Sequence, residues 1–80
     1  MKLSLVLYGL IAEEFTAKEL VIETNEKAVS VKWLRKELSN RKSRMTSLTY
    51  SVAVNNTIVQ DDFEITSDAE IHIMPPFSGG

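Results

Sequence analysis

The chain has no cysteine. That excludes disulfides, thiolate metal sites and a cysteine nucleophile, and any sulfur the protein carries cannot be held as a side-chain persulfide. A single histidine likewise excludes a histidine-built metal centre. Nine basic residues against eleven acidic ones leave a formal net charge of −2, without the basic excess typical of nucleic-acid binders. No apolar run approaches the roughly 20 residues that span a bilayer. Neither nucleic acid nor membrane is therefore expected as a partner, and the expected location is cytoplasmic. Proline and glycine are scarce too, at two and three residues. Both prolines and two of the glycines fall in the segment Pro75-Pro76-Phe77-Ser78-Gly79-Gly80.

What remains suits one small domain. At 80 residues a chain buries roughly 60–65% of its unfolded surface, enough for a modest core. With 44% hydrophobic and 25% charged residues, its composition is that of a globular protein. The opening Lys2 to Tyr8 alternates Leu3, Leu5 and Leu7 with a half-apolar face of Ser4, Val6 and Tyr8, and so reads as an interior strand. A small-x-small cleavage site is missing before Glu13-Glu14, which argues against a leader peptide. Lys18 to Thr24 reads as a second strand with Leu20 and Ile22 in phase, forming a hairpin with the first across a long connection through Gly9.

Ser30 is a good N-cap, and Val31, Leu34 and Leu38 then repeat at helical spacing, predicting an amphipathic helix that ends near Asn40. Lys32, Arg35, Lys36 and Glu37 fall on its outer side, and Trp33 at its margin reads as a packing residue. Arg41-Lys42-Ser43-Arg44 reads as a solvated loop, with docking of an acidic partner as the other reading. Leu48 to Val54 alternates as a strand, Asn55-Asn56 turns, and Thr57 to Gln60 returns. The sequon Asn55-Asn56-Thr57 is idle in a cytosolic chain. Asp61-Asp62 lacks a third carboxylate at ligand spacing and reads as a solvated turn, so no metal site is expected. Glu70 to Met74 is a last strand with Ile71 and Ile73 on one face and His72 and Met74 on the other. One helix across one face of a mixed α+β sheet of about five strands would bury Leu3, Leu5, Leu7, Ile71 and Ile73 against Val31, Leu34 and Leu38.

The terminal segment has its own chemistry. Pro75-Pro76 ends the last strand and favours stiff, extended backbone. Gly79-Gly80 places a carboxylate on a stem without side chains, open to attack. A carboxylate must be activated before acyl transfer, and the chain has no phosphate-binding loop, catalytic triad or metal site to do so. Adenylation by ATP on another protein, followed by displacement with sulfur, would yield a thiocarboxylate. The expected organisation is a domain over residues 1–76 and an extended, flexible tail over 77–80.

Val54-Asn55-Asn56-Thr57-Ile58-Val59, then Ile65-Thr66, then Glu70-Ile71-His72-Ile73-Met74 and the proline-proline, apolar, small, glycine-glycine ending resemble the small subunit of molybdopterin synthase. That family consists of ubiquitin-like sulfur carriers. Asp68-Ala69 stands where the family usually has glycine-aspartate, and the stretch from Gly9 to Lys18 lacks its usual arginine-glutamate signature. The resemblance implies a β-grasp fold and no catalysis by the chain alone. Gly80 would be the reactive group, adenylated by an activating enzyme that uses ATP and then loaded by a sulfur donor protein, with no cofactor bound to the chain itself. Gly79, Ser78, Phe77, Pro76 and Pro75 would insert into the large synthase subunit, where sulfur passes to a cyclic pyranopterin precursor, and the two subunits would form a heterotetramer. On the sheet face away from the helix, Val6, Tyr8, His72 and Met74 are the expected partner interface. Other readings of the same tail are a sulfur carrier for thiamine thiazole or tRNA thiolation, a protein modifier conjugated to lysines, and an interaction domain whose glycines are incidental.

Overall fold

The structure is a computed structural model that describes residues 1–76. Its strands are β1 (Lys2–Leu7), β2 (Glu19–Glu23), β3 (Val29–Ser30), β4 (Ser51–Val54), β5 (Thr57–Ile58), β6 (Glu64–Ile65) and β7 (Ala69–Met74). The helices are α1 (Gly9–Phe15) and α2 (Val31–Arg41), with a 3-10 turn over Ser43–Ser47. The main sheet runs β2-β1-β7-β4-β5, and β3 pairs with β6 in a separate two-stranded ladder. At the centre β1 and β7 lie parallel, Leu5 beside Ile71 and Val6 beside His72. The other neighbours are antiparallel.

The helix forms where its cap and spacing require. The Ser30 hydroxyl accepts from the Trp33 amide at 3.0 Å. Two further first-turn amides, those of Val31 and Lys32, donate to the carbonyls of Phe63 and Asp61, each at 3.0 Å. The N-terminal donors of α2 are thus satisfied jointly by the Ser30 side chain and by the loop that leads into β6. Val31, Leu34 and Leu38 are fully buried against Leu3, Leu5, Leu7, Ile71 and Ile73, so the expected core is the observed one. Trp33 is partly buried at its edge.

Three local expectations are corrected. The connection after β1 holds α1, which ends at Thr16 in the left-handed region (φ 53°). Only Ile11 of α1 is fully buried, too little periodicity to announce a helix. The stretch from Leu48 to Tyr50 is not strand; Tyr50 turns inward and β4 begins at Ser51. Arg35 is not a solvated outer residue. Its Nε donates to Asp61 Oδ1 at 2.7 Å, a terminal nitrogen donates to the Tyr50 carbonyl at 3.2 Å, and the guanidinium lies 4.5 Å from the Tyr50 ring centroid. Burial pushes the Tyr50 hydroxyl above its ordinary pKa of 10.0, with Arg35 acting in the opposite sense. Asn55 and Asn56 both have positive φ, 48° and 72°, as a two-residue type I′ hairpin between β4 and β5 requires.

Candidate functional site

The site is the sheet face opposite α2, at the point where β7 runs out into Pro75 and Pro76. Alternation along the two central strands places it. With Leu3, Leu5, Leu7, Ile71 and Ile73 inward, Val6, His72 and Met74 must face outward. The register sets Val6 and Ala53 on either side of His72, and Ser51 beside Met74. Ile58 pairs with Ala53 and is 55% exposed. The result is a row across β1, β7, β4 and β5 in which small and apolar side chains flank His72.

Tyr8 closes one end of the row. Its amide donates to the Ile73 carbonyl at 3.2 Å, and its own carbonyl accepts from Ile11 at 3.1 Å, where α1 begins. Its ring stacks on His72 with centroids 5.5 Å apart and planes inclined by 28°. The hydroxyl lies 2.7 Å from His72 Nδ1, and His72 Nε2 lies 3.1 Å from Glu70 Oε1. With a neutral imidazole this is a directed chain: the hydroxyl donates to Nδ1, and Nε2–H donates to the Glu70 carboxylate. His72 is half-buried, so the chain holds both rings against the sheet while their edges remain open.

Beneath the start of the terminal segment, Gly9 adopts φ +57°, and a Cβ built on it would come within 3.1 Å of Pro75 Cγ. A side chain at residue 9 would press on the ring from which that segment departs. Pro75 and Pro76 are exposed. Phe77, Ser78, Gly79 and Gly80, expected as the inserting tail, lie outside the described residues.

Of the expected interface residues, Val6, Tyr8 and His72 meet on this face and Met74 follows on the same strand. Sequence reasoning missed Glu70, Ala53, Ile58 and Gly9. Glu70 was within reach, because it shares the phase of His72 and Met74. Gly9 was not, because its positive φ and its closeness to Pro75 emerge only when β1 and β7 pair. Among the described residues, no helix is long and apolar enough to cross a membrane.

An α2 packed across a mixed sheet with the order β2-β1-β7-β4-β5 and parallel central strands defines a ubiquitin-like β-grasp domain. The chain belongs to the ThiS family of ubiquitin-like sulfur carriers, which it matches over residues 10–80. No curated protein sequence matches it. Among solved structures it is similar to a Pyrococcus furiosus protein described as molybdopterin converting factor, subunit 1. The two share 20% identity over 96% of this chain and 99% of that one, with a TM-score of 0.86. It is also similar to the small archaeal modifier protein SAMP1 of Haloferax volcanii, at 16% identity over the whole of both chains and a TM-score of 0.81. A third similar structure comes from the Helicobacter pylori complex of subunits 1 and 2 of molybdopterin-converting factor (21% identity, all of both chains, TM-score 0.68). At such identities the likeness is one of fold.

Proposed function

We propose that this chain is the sulfur-carrying small subunit of a molybdopterin synthase. The Gly80 carboxylate attacks ATP on a separate activating enzyme, forming an acyl-adenylate and releasing pyrophosphate. A sulfide equivalent from a sulfur donor protein then displaces AMP and leaves a thiocarboxylate. The segment Pro75 to Gly80 enters the large subunit, where each thiocarboxylate gives one sulfur to a cyclic pyranopterin precursor and returns to a carboxylate by taking up oxygen from water, so two loaded copies supply the two sulfurs of a dithiolene. The chain's own part is positional. The face of Val6, Tyr8, His72 and Met74 docks the partner, and Pro75 against Gly9 directs the tail.

One observation carries this reading: membership of a sulfur-carrier family whose match runs through Gly80. The proline pair before the glycines favours the molybdopterin pathway over thiamine thiazole or tRNA thiolation. The test is intact-mass measurement after incubation with the activating enzyme, ATP and a sulfide source. The expected product is heavier by the exchange of one oxygen for one sulfur, and the chain lacking Gly80 stays unchanged. Adding the large subunit and the pyranopterin precursor should then yield the dithiolene. An unchanged mass would refute the carrier reading, whereas thiocarboxylate without dithiolene would refute only the pathway.

The fold similarity to the archaeal modifier protein favours a second reading, conjugation of Gly80 to lysine side chains. High-mass adducts that disappear on deletion of Gly80 would identify it.

A further inference from the structure

The two edges of the main sheet differ. The β5 edge is two residues long, whereas β2 runs unbroken over five and, among the described residues, pairs with β1 alone. Short edges are one protection against unwanted strand pairing, and β2 does not use it.

The register of β2 on β1 shows what that edge offers. Met1 and Thr24 exchange both backbone hydrogen bonds, at 2.7 and 3.0 Å, and Leu7 donates to the Lys18 carbonyl at 2.8 Å. Hydrogen-bonded pairs alternate in an antiparallel ladder. Leu20 and Ile22 therefore direct their backbone groups to β1, and Glu19, Val21 and Glu23 direct theirs away from the sheet. The same three residues carry their side chains on the outer face, where Val21 is 49% exposed. Among the described residues, neither Glu19 nor Glu23 forms an ion pair.

This edge thus presents three outward peptide groups under an acidic, apolar, acidic row. A second copy is a poor fit: antiparallel self-pairing centred on Val21 sets Glu19 against Glu23 twice, and directly opposed like charges destabilise a ladder. We propose that the β2 edge is a strand-addition site for an extended segment of another protein with a basic-x-apolar-x-basic pattern. The segment's backbone bonds the peptide groups of Glu19, Val21 and Glu23. Its basic residues sit opposite the two carboxylates and its apolar residue opposite Val21. Backbone bonding supplies affinity in this mode and the alternate side chains supply selectivity. The site shares the outer sheet face with His72, Glu19 lying beside Val6, but it is built on the free backbone of the β2 edge and does not depend on the chemistry of Gly80.

The experiment is amide hydrogen exchange by NMR on the full chain, with a synthetic peptide centred on Lys-Thr-Val-Thr-Lys and a control in which Glu replaces both Lys residues. The basic peptide is expected to slow exchange at Glu19, Val21 and Glu23 selectively, because Leu20 and Ile22 are already bonded to β1. Glu19→Lys with Glu23→Lys should weaken binding about tenfold or more by turning two attractive pairs repulsive. Glu19→Gln with Glu23→Gln should give a smaller loss in a sheet of unchanged charge pattern elsewhere. Val21→Pro removes only an outward donor, so it should abolish binding without costing a ladder bond. Equal protection by the acidic peptide, undiminished binding after charge reversal, or no protection at the three amides would each overturn the proposal. In the last case Glu19 and Glu23 serve only to keep copies apart.

Discussion

The Tyr8 hydroxyl meets Nδ1 of His72 at 2.7 Å although the two residues are 64 apart in the chain. They meet because β1 and β7 pair in parallel, so the end of the first strand and the end of the last come out at the same edge of the domain.

Removing the hydroxyl should separate the two parts of this contact. Tyr8→Phe keeps the stacked ring and loses the hydrogen bond, a change of about 1 kcal/mol or less at a partly exposed site. Tyr8→Ala loses both. His72 is the only histidine, so its imidazole resonances report on each variant without ambiguity. If the His72 face docks the proposed large subunit, affinity measured by calorimetry with that subunit should fall clearly for Tyr8→Ala and little for Tyr8→Phe.

Gly9 should resist substitution for two separable reasons. A non-glycine residue in the left-handed region costs about 1–2 kcal/mol, and Pro75 Cγ stands 3.1 Å from the added Cβ. Gly9→Ala should lower the melting temperature by about 4–8 °C for each kcal/mol lost. Gly9→Asn, more tolerant of positive φ, should lose less. Pairing Gly9→Ala with Pro75→Ala should recover only the contact part, and calorimetric scans of the three proteins would show the division.

Alkaline unfolding should carry the signature of Tyr50. Its pKa is raised by burial from 10.0, so above that pH the unfolded chain gives up a proton that the folded chain keeps. The folded state then binds more protons, and stability falls as pH rises through that window. Tyr50→Phe should remove this part of the decline. Urea midpoints for both proteins at neutral pH and at pH values above 10.0 would measure it.

Leu34 and Leu10 should behave oppositely despite equal hydrophobicity. Leu34 is 0% exposed in the core, and Leu10 is 62% exposed on α1. Leu34→Ala should cost about 2–5 kcal/mol, a large part of the stability of a small domain. Leu10→Ala should stay within about 0.5 kcal/mol. Denaturant titration of the pair distinguishes them.

The sequence made the long elements legible because each shows its period: Leu3, Leu5 and Leu7 at two, Val31, Leu34 and Leu38 at three and four. The pairing of Asn55 and Asn56 in a hairpin was legible for a different reason, the tolerance of asparagine for positive φ. What escaped has no period to show. The two-residue strands β3 and β6 exist because Val29 finds Ile65, a contact between residues remote in the chain. Arg35 looked like one more cation on a wet helix face until the fold brought Tyr50 and Asp61 to it. The outer-face residues Val6, Tyr8, His72 and Met74 were read correctly as sharing a face by alternation alone, while the hydrogen-bond chain through Glu70 needed the strand register.

Pairing β1 with β7 also governs timing. The sheet has no middle until Ala69–Met74 is in place, so a chain interrupted before that segment leaves Leu3, Leu5 and Leu7 without their neighbours. Contacts between such distant segments close late, since the entropy of the intervening loop is lost before they return anything. The strand that completes the domain is the one that leads into Pro75, so under the proposed function folding would precede loading. Any partner that recognised the finished sheet would thereby meet the segment after Met74 only on folded copies, and the architecture would act as its own proofreading step.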